Sequence, residues 1–531
     1  MQHTNGYYTA QALIALNLLI GNMDWKGGLS AGGGAWNAIG NKDKPFDLSG
    51  DHPGKITAFG IKATREGATY EKTSLFKDYP APRPFYPYTS NVYQEVIPAA
   101  FAQYPYPIKI LWLHMGTPAL ATPAGADQIK MLADTDKIPL FIADDIVIAE
   151  TSMYADYLFP DITYVERWAF LSSPPPEPTK NIRVRQPIAA PVPEIVTIDG
   201  EAMPISMEAM MIAIGKQLGL PGIGKGGFGA HGDFNRPEDY YLRAIANIAY
   251  GDTKDGAESV PEADDAELDI FRQARKHLPK GVFEEAKWKA AVGETLWRKT
   301  VYVLNRGGRF ESFSKAYAGN FVGHPYARQL NLYIEPVATG KDSITGKPFV
   351  GVAHFEPMQN SNGTPVDDKD MPLHLITYKV VTGGQSRTIS NYWTQGGMGV
   401  SPENYILLNP IDATAQGLSE GDLAKITSRT NPGGSFDLGN GQQLHVEGKV
   451  KLTQGIRPGV VMVSWSYGHW AYGSQDVIVD GQAIKGDPRR RAGLCSNPVL
   501  LLDEGTKTTC LTDPIGGSAS FYDTKVKVIK A

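Results

Sequence analysis

Apolar residues change their spacing as the chain passes residue 371. Before that point, short apolar runs and helical spacings are separated by long polar or Gly/Pro-rich stretches. Ile138–Ala143 is a short apolar run and Ile108–Leu113 is apolar except for Lys109; both read as buried strands. Between them, His114 to Ala119 reads as a turn and Ala124–Ala133 as a helix. This predicts a β–loop–α–β unit with a parallel pair and a right-handed crossover. Helical spacing appears at Thr9–Asn22, where Ala10, Leu13, Ile14, Leu18 and Leu19 mark a wide apolar face and Gly27-Gly28 stops it. It returns at Ser206–Gln217, Pro237–Ile248, Ala266–Lys276 and Phe283–Val292. Residues 30–106 read as loop, Pro174–Pro178 as a stiff extended arm, Gly222–Gly232 as a glycine-rich loop, and 335–372 as a linker.

Past 371 the apolar positions alternate or cluster in short runs: Leu373–Tyr378, Tyr405–Leu408, Ala424–Ser428, His445–Leu452, Gly459–Trp465 and Lys525–Lys530. Turn signals separate them, among them Glu420-Gly421-Asp422 and Asn431 to Gly434. Short strands at this spacing predict a barrel or sandwich. The expected organisation is an α/β region over 1–340, a linker over 341–370 and an all-β domain over 371–531.

Composition narrows the function classes. With 51 basic and 56 acidic residues the net charge is -5, too balanced for nucleic acid to be the main partner. Two cysteines, Cys495 and Cys510, without a CxxC pair do not make a four-cysteine iron–sulfur site. No run reaches the roughly 20 apolar residues that span a bilayer. The ten histidines show no zinc-type spacing, and no GxSxG elbow is present.

The candidate chemistry sits at strand ends. Asp144 and Asp145 follow the second strand, the place where open parallel sheets bind nucleotides. Asp145 can accept from two N–H donors of a nucleotide base, or it serves as a helix N-cap. The turn Gly116-Thr117-Pro118 offers backbone N–H groups to a phosphate, or is an ordinary connection. The loop 382–393 carries Thr382, Gln385, Ser386, Arg387, Thr388 and Asn391, donors suited to anionic and carbonyl oxygens. Asn497 offers donor and acceptor together. His469, between Tyr467 and Trp470 in sequence, is either a packed polar residue or part of a reacting site.

These motifs, in this order, resemble the molybdopterin oxidoreductases of the dimethyl-sulfoxide-reductase family. The resemblance rests on Asn5-Gly6 through Gly27-Gly28, then on Asp144, Asp145, Thr151 and Asp156 after the second strand. It continues through Lys379 with 382–388, Asn409 to Asp412, Gly421-Asp422, Arg457 to Gly459, Gly468 to Trp470, Asn497 and Asp513-Pro514. Thr117 departs from it, standing where the family commonly has Asn. The resemblance implies a Rossmann-like α/β region followed by a molybdopterin-dinucleotide-binding barrel of the double-psi type. It implies two molybdopterin guanine dinucleotides shared with an N-terminal half outside this chain, and molybdenum or tungsten. The 4Fe–4S cluster and the metal-ligating side chain would belong to that other half.

It also implies cofactor contacts at Gly116, Thr117, Pro118, Asp145, Thr151, Thr382, Gln385, Ser386, Arg387, Thr388, Asn391 and Asn497. Lys379, Arg387 and His469 would form a cationic or proton-donating lining. Details around Lys379 and 466–470 look most like the tetrathionate, arsenate and selenate reductase branch. Tetrathionate is the favoured substrate; arsenate, selenate, polysulfide and thiosulfate are the alternatives. The implied partners are a small oxyanion, a membrane anchor subunit, and an iron–sulfur electron-transfer subunit, in the periplasm. A non-catalytic module completing a partner chain is the second reading. A carbohydrate enzyme, suggested by 25 Tyr and 9 Trp, is the third.

Overall fold

The computed structural model describes residues 2–49, 54, 58–172, 177–191, 195–326, 328–381, 383, 389, 391, 393–397, 399, 401, 403–439, 441–471 and 473–531. The chain divides into two compact units built from separated stretches. One holds 1–15, 60–159 and 331–531; the other holds 16–59 and 160–330. The serial division at 340 and 370 therefore differs from the compact units, which interleave.

The chain opens with helix α1 (Gly6–Leu19), three residues ahead of the expected start. In the first unit, α2 (Val96–Ala102) precedes β1 (Leu111–His114), α3 (Pro118–Ala121), α4 (Gly125–Leu132), β2 (Phe141–Asp145) and β3 (Tyr157–Pro160). β1 and β2 pair in parallel, with Leu111 opposite Phe141 and His114 opposite Asp144, and β3 lies beside β2. Both strands start later than their apolar runs. Leu111 N is where cross-strand bonding begins, donating to Leu140 O at 2.9 Å. Both also run further, so His114, Asp144 and Asp145 are strand ends rather than loop. Ile97, Ala100, Met131, Leu132, Ile138, Phe141 and Ala143 make the local core.

The second unit carries β4 (Ala169–Ser172), β5 (Asn181–Arg185), β6 (Ile195–Ile198), β7 (Glu201–Pro204), α5 (Met207–Gln217), α6 (Pro237–Tyr250), α7 (Asp265–Arg275), α8 (Glu285–Val292), α9 (Glu294–Asn305), β8 (Gly308–Phe310), β9 (Tyr317–Ala318) and β10 (Phe321–Val322). Ser206 caps α5 and Asp264 caps α7, their side chains accepting from Ala209 N and Glu267 N. α6 is central. Leu242, Ile245 and Ile248 pack with Trp288 of α8 and with Trp297, Val301 and Leu304 of α9.

The chain returns to the first unit with α10 (Glu335–Ala338). Residues 341–370 are irregular but packed, unlike a free linker: Ser343 Oγ accepts from Phe85 N at 2.8 Å, and Asn360 Oδ1 from Glu504 N at 3.0 Å. Then follow β11 (Leu373–Tyr378), β12 (Tyr405–Leu408), α11 (Pro410–Ala415), β13 (Leu423–Ser428), β14 (Ser435–Asp437), β15 (Gln443–His445), β16 (Glu447–Leu452), β17 (Val460–Ser464), β18 (Val477–Val479), β19 (Gln482–Ile484) and β20 (Lys525–Lys530).

Strands β11, β17, β12, β16, β13 and β20 close a barrel in that order. β11–β17 and β12–β16 are parallel, and the other four pairs antiparallel. Alternate residues point inward, as a period of two requires. Leu373, Leu375, Ile406, Leu408, Ala424, Ile426, Val450, Val461, Val463, Val526 and Val528 fill the interior.

Within this unit the barrel is joined to the α/β lobe. Ala119, Leu120 and Ile129 pack with Phe436, Leu438, Trp470 and Ala471. The Tyr154 hydroxyl donates to Leu438 O at 3.2 Å.

Candidate functional site

β1 ends in a tight turn that needs its small residue. A Cβ on Gly116 would lie 2.8 Å from both Leu113 Cδ1 and the Tyr93 hydroxyl. Pro118 opens α3, and Thr117 O accepts from Leu120 N at 3.0 Å and from Ala121 N at 2.7 Å. Other N–H groups of the turn are also engaged. Ala119 N donates to Thr151 Oγ1 at 2.9 Å, and the Thr117 backbone bonds the Tyr93 hydroxyl. Burial pushes that hydroxyl up to about 12, opposed by the Thr117 bond and reinforced by the charge of Asp145. The turn thus presents the Thr117 residue to its surroundings rather than a row of free amides. Fully buried Thr151 supports the turn from behind.

The β2 end is equally engaged. Asp144 accepts from Trp112 Nε1 at 2.6 Å and pairs with His114. Asp145 accepts from Ile146 N at 2.9 Å and from Ser152 Oγ at 3.1 Å, the local bonding of a capping residue. Asp156 is structural, taking Phe141 N at 2.8 Å. Asp412 and Asp422 likewise hold turns of the barrel, accepting from Gly459 N at 2.8 Å and Ser419 N at 2.9 Å.

A cavity of about 250 Å³ forms where lobe and barrel meet. Thr117, Leu120 and Ala121 wall one side; Thr377, Trp465, Ser466, Tyr467, His469, Cys495, Ser496 and Asn497 wall the other. The turn carrying His469 is shaped by Gly468 at φ +71, where a Cβ would strike Cys495 N at 2.4 Å. Asn497 Nδ2 donates to Leu120 O at 2.8 Å, tying the two walls together. His469 is 4% exposed; its Nδ1 lies 2.8 Å from Glu150 Oε1, and Glu150 is wholly buried. Among the described residues, His469 Nε2 and Trp465 Nε1 are buried without a hydrogen-bond partner. Burial, with the charge of Glu150 adding to it, pushes the Cys495 thiol up to about 12, so it stays protonated.

The sequence candidates therefore separate. Thr117, His469 and Asn497 share the cavity. Lys379 is exposed and does not line the cavity; its Nζ lies 5.1 Å from the ring centroid of Trp465, which does. Gly116, Pro118 and Thr151 shape or brace the turn, and Asp145 is bonded locally. Asn391 is exposed, its side chain accepting from Trp393 N at 2.9 Å. Thr382, Gln385, Ser386, Arg387 and Thr388 lie outside the described residues. Sequence reasoning missed Trp465, Thr377, Cys495 and the role of Glu150. Trp465 and Thr377 had a usable signal, since each sits in or just after a predicted strand. Glu150 had none, because its partner lies 319 residues away.

A polar ligand with hydrogen-bonding edges fits this cavity, whose buried indole and imidazole nitrogens lack partners among the described residues. The comparisons bear on which class. Residues 373–492 match the family model described as the Molydopterin dinucleotide binding domain, starting at the first residue of β11. The chain is 45% identical to a selenate reductase subunit of Mesobacillus selenatarsenatis, over 99% of this chain and 50% of that protein. It is 31% identical to a tetrathionate reductase subunit of Salmonella typhimurium, over 98% of this chain and 49% of that protein. Identity is 23% to the molybdopterin-containing subunit of the arsenate respiratory reductase of Chrysiogenes arsenatis, over 90% and 52%. Among solved structures, acetylene hydratase from Pelobacter acetylenicus aligns over 82% of this chain and 46% of that one, at 15% identity and a TM-score of 0.40, too slight a likeness to argue from.

A molybdopterin-dinucleotide-binding domain thus forms the barrel end of the chain. The chain as a whole belongs to the molybdopterin oxidoreductases of the dimethyl-sulfoxide-reductase family. It spans about half the length of the relatives it matches.

Proposed function

We propose that this chain is the cofactor-gripping C-terminal part of the catalytic subunit of a molybdopterin-dependent reductase of small oxyanions. The observation that carries this reading is the single cavity walled by Thr117, Leu120 and Ala121 from one lobe and by Thr377, Trp465, His469 and Asn497 from the other. Residues this far apart in sequence come together around one elongated polar ligand. When bound, molybdenum held by molybdopterin guanine dinucleotide supplies the two-electron chemistry. The chain's own residues bind and orient. Thr117, Trp465 and Asn497 offer hydrogen bonds at the cavity wall, and His469 gives it a proton-exchanging group, with Lys379 a cationic group beside Trp465. The donors of loop 382–393, Arg387 included, are assigned to pyrophosphate and pterin oxygens, and Asp145 to the guanine edge.

The barrel is read as double-psi, supported by its two parallel pairs, and the β1–β2 unit as Rossmann-like, supported by its helical crossover. The partners proposed are a membrane anchor and an iron–sulfur electron-transfer subunit, in the periplasm. The 4Fe–4S cluster and metal ligand are assigned to the half of the relatives' length that this chain does not span. Among the described residues no helix is long and apolar enough to cross a membrane.

The motifs alone favoured tetrathionate; the identities move selenate to the front, 45% against 31%. The chemistry agrees. Selenate takes two electrons and two protons to give selenite and water. Tetrathionate takes two electrons and splits its S–S bond into two thiosulfates, with no proton consumed. A buried histidine at the cavity wall, whose Nε2 has no partner among the described residues, suits the proton-consuming reaction. The alternative, a cofactor-holding module that completes a partner chain, draws support from the half-length span.

The test is purification of the complete multi-subunit enzyme, with molybdenum and guanine-nucleotide analysis and reduced-viologen oxidation by selenate, tetrathionate and arsenate. Stoichiometric metal and nucleotide are expected, with kcat/KM for selenate at least about tenfold above the others. Active material lacking molybdenum, tungsten and guanine nucleotide overturns the reading.

A further inference from the structure

We infer that Glu150 is a positioning residue for His469, holding its ring so that Nε2 is the proton-exchanging atom at the cavity wall. The inference rests on the reading of that cavity as the reacting site. Its geometric part stands on the structure alone.

Glu150 follows β2, six residues past the strand's first carboxylate, Asp144. It is wholly buried. Its Oε1 reaches into the barrel, 2.8 Å from His469 Nδ1 and 3.3 Å from Ala471 N. That oxygen accepts from the Ala471 amide and so is an acceptor toward its neighbours, which leaves the ring nitrogen facing it to carry the proton. The neutral ring is then the Nδ1–H tautomer, with a bare lone pair at Nε2. A protonated ring carries its second proton at Nε2. In both states the proton that comes and goes is the one on Nε2. That atom is buried, has no partner among the described residues, and belongs to a cavity-lining side chain.

Without the carboxylate, the imidazole is free to rotate about its two side-chain torsions and to take the Nε2–H tautomer that histidine favours in water. A histidine serving only to fill the core has no need of this arrangement. Such a ring usually has both nitrogens bonded or packs as an apolar plate. Here one nitrogen is fixed by a buried charge and the other is left to the cavity, the base-and-orienter relation found where a side chain exchanges protons. The pairing also joins the two walls. The Glu150 loop moves with β2 and the 469–471 turn with the barrel, so the ring sits at a set place relative to both.

The test has two arms. In the ligand-free chain, selective 15N-histidine labelling reads the tautomer of His469, assigned with His469→Gln. The wild type is expected to show a protonated Nδ1 and an unprotonated Nε2 in the neutral ring. Glu150→Ala is expected to lose that preference, and Glu150→Asp to keep part of it. Glu150→Gln holds the ring through its carbonyl but removes the charge, so it remains informative if Glu150→Ala does not fold.

In the complete enzyme, Glu150→Gln is expected to lower kcat for selenate by about 10- to 100-fold and move its pH profile. KM and bound guanine nucleotide should change less than about threefold. Tetrathionate turnover, which consumes no proton, should fall much less.

An Nε2–H tautomer in the wild type, or a tautomer indifferent to Glu150→Ala in a folded chain, overturns the inference. So does an unchanged pH profile alongside a changed tautomer, which reduces Glu150 to a packing role. Failure of the functional reading shows elsewhere, as absent metal and nucleotide in active wild-type enzyme.

Discussion

Glu95 lies wholly buried between two guanidinium groups. Arg83 Nε and Nη2 donate to it at 3.0 and 2.9 Å, and Arg65 closes the other side. Burial alone would raise its pKa, but Arg83 and Arg65 outweigh that and hold the carboxyl below its ordinary value. Such a group stabilises the fold above the ordinary carboxylate range, and the benefit disappears as pH falls through the lowered folded value. Glu95→Ala strands two buried cations and is expected to cost about 3–5 kcal/mol at neutral pH, read by denaturant unfolding.

Asp252 behaves alike in the second unit. Burial works against its charge, but bonds from Lys180 and Lys44 at 2.5 and 2.8 Å, and from Asn37 N, bring it down to about 2. Its contribution is complete above the ordinary aspartate value and is lost between about pH 4 and pH 2. Asp252→Asn is expected to cost about 1 kcal/mol at pH 7, after allowance for solvent screening, and much less at pH 2. Thermal unfolding across pH reads both points. At this scale the sequence was partly legible. His469 was singled out because it lies just past a predicted strand, and Asn497 because its amide suits a ligand edge and its place fits the family's order. Asp145 stood out by its type and position, and nothing in sequence revealed the bonds it accepts from Ile146 N and Ser152 Oγ.

The barrel strands show what periodicity delivers. All six expected runs after residue 371 correspond to the strands of the closed barrel, three of them with identical bounds. Alternation is forced there, since one face must be apolar and the other must not. Leu375, with no exposure in β11, is expected to lose about 2–5 kcal/mol on Leu375→Ala, measured by chemical denaturation. Helix α9 was overlooked for the opposite reason. Its stretch Thr300-Val301-Tyr302-Val303 favours strand by residue type, and Gly293 directly before it reads as a stop. Tertiary packing overrides that preference: Trp297, Val301 and Leu304 are buried against α6 and α8. The strands β1 and β2 were placed within three residues, their ends being set by hydrogen bonding that apolar runs do not encode.

At the scale of the molecule, the pattern gave no sign that compact units interleave, because two of the chain crossings, at 15–16 and 159–160, fall inside α1 and β3, where no change of composition marks them. The barrel depends on the α/β lobe for part of its core. Residues 371–531 expressed alone would uncover Phe436, Leu438, Trp470 and Ala471, which pack with Ala119, Leu120 and Ile129 in the intact unit. That piece is expected to bind a hydrophobic dye and self-associate, whereas the full chain does neither at equal concentration. Monomeric, dye-silent behaviour of the isolated piece would show that the shared cluster is dispensable.

Strand β20 pairs with both β11 and β13, and it alone bridges them in the closed ring. During translation at about 5–20 residues per second, β11 waits for roughly 150 residues, on the order of 10–30 seconds, before that neighbour emerges from the ribosome. Through this interval the ring has two unclosed edges. A nascent chain stalled before Lys525 is therefore an adhesive species, dependent on chaperone shielding, and a premature stop at that codon yields an aggregate instead of a slightly shortened protein.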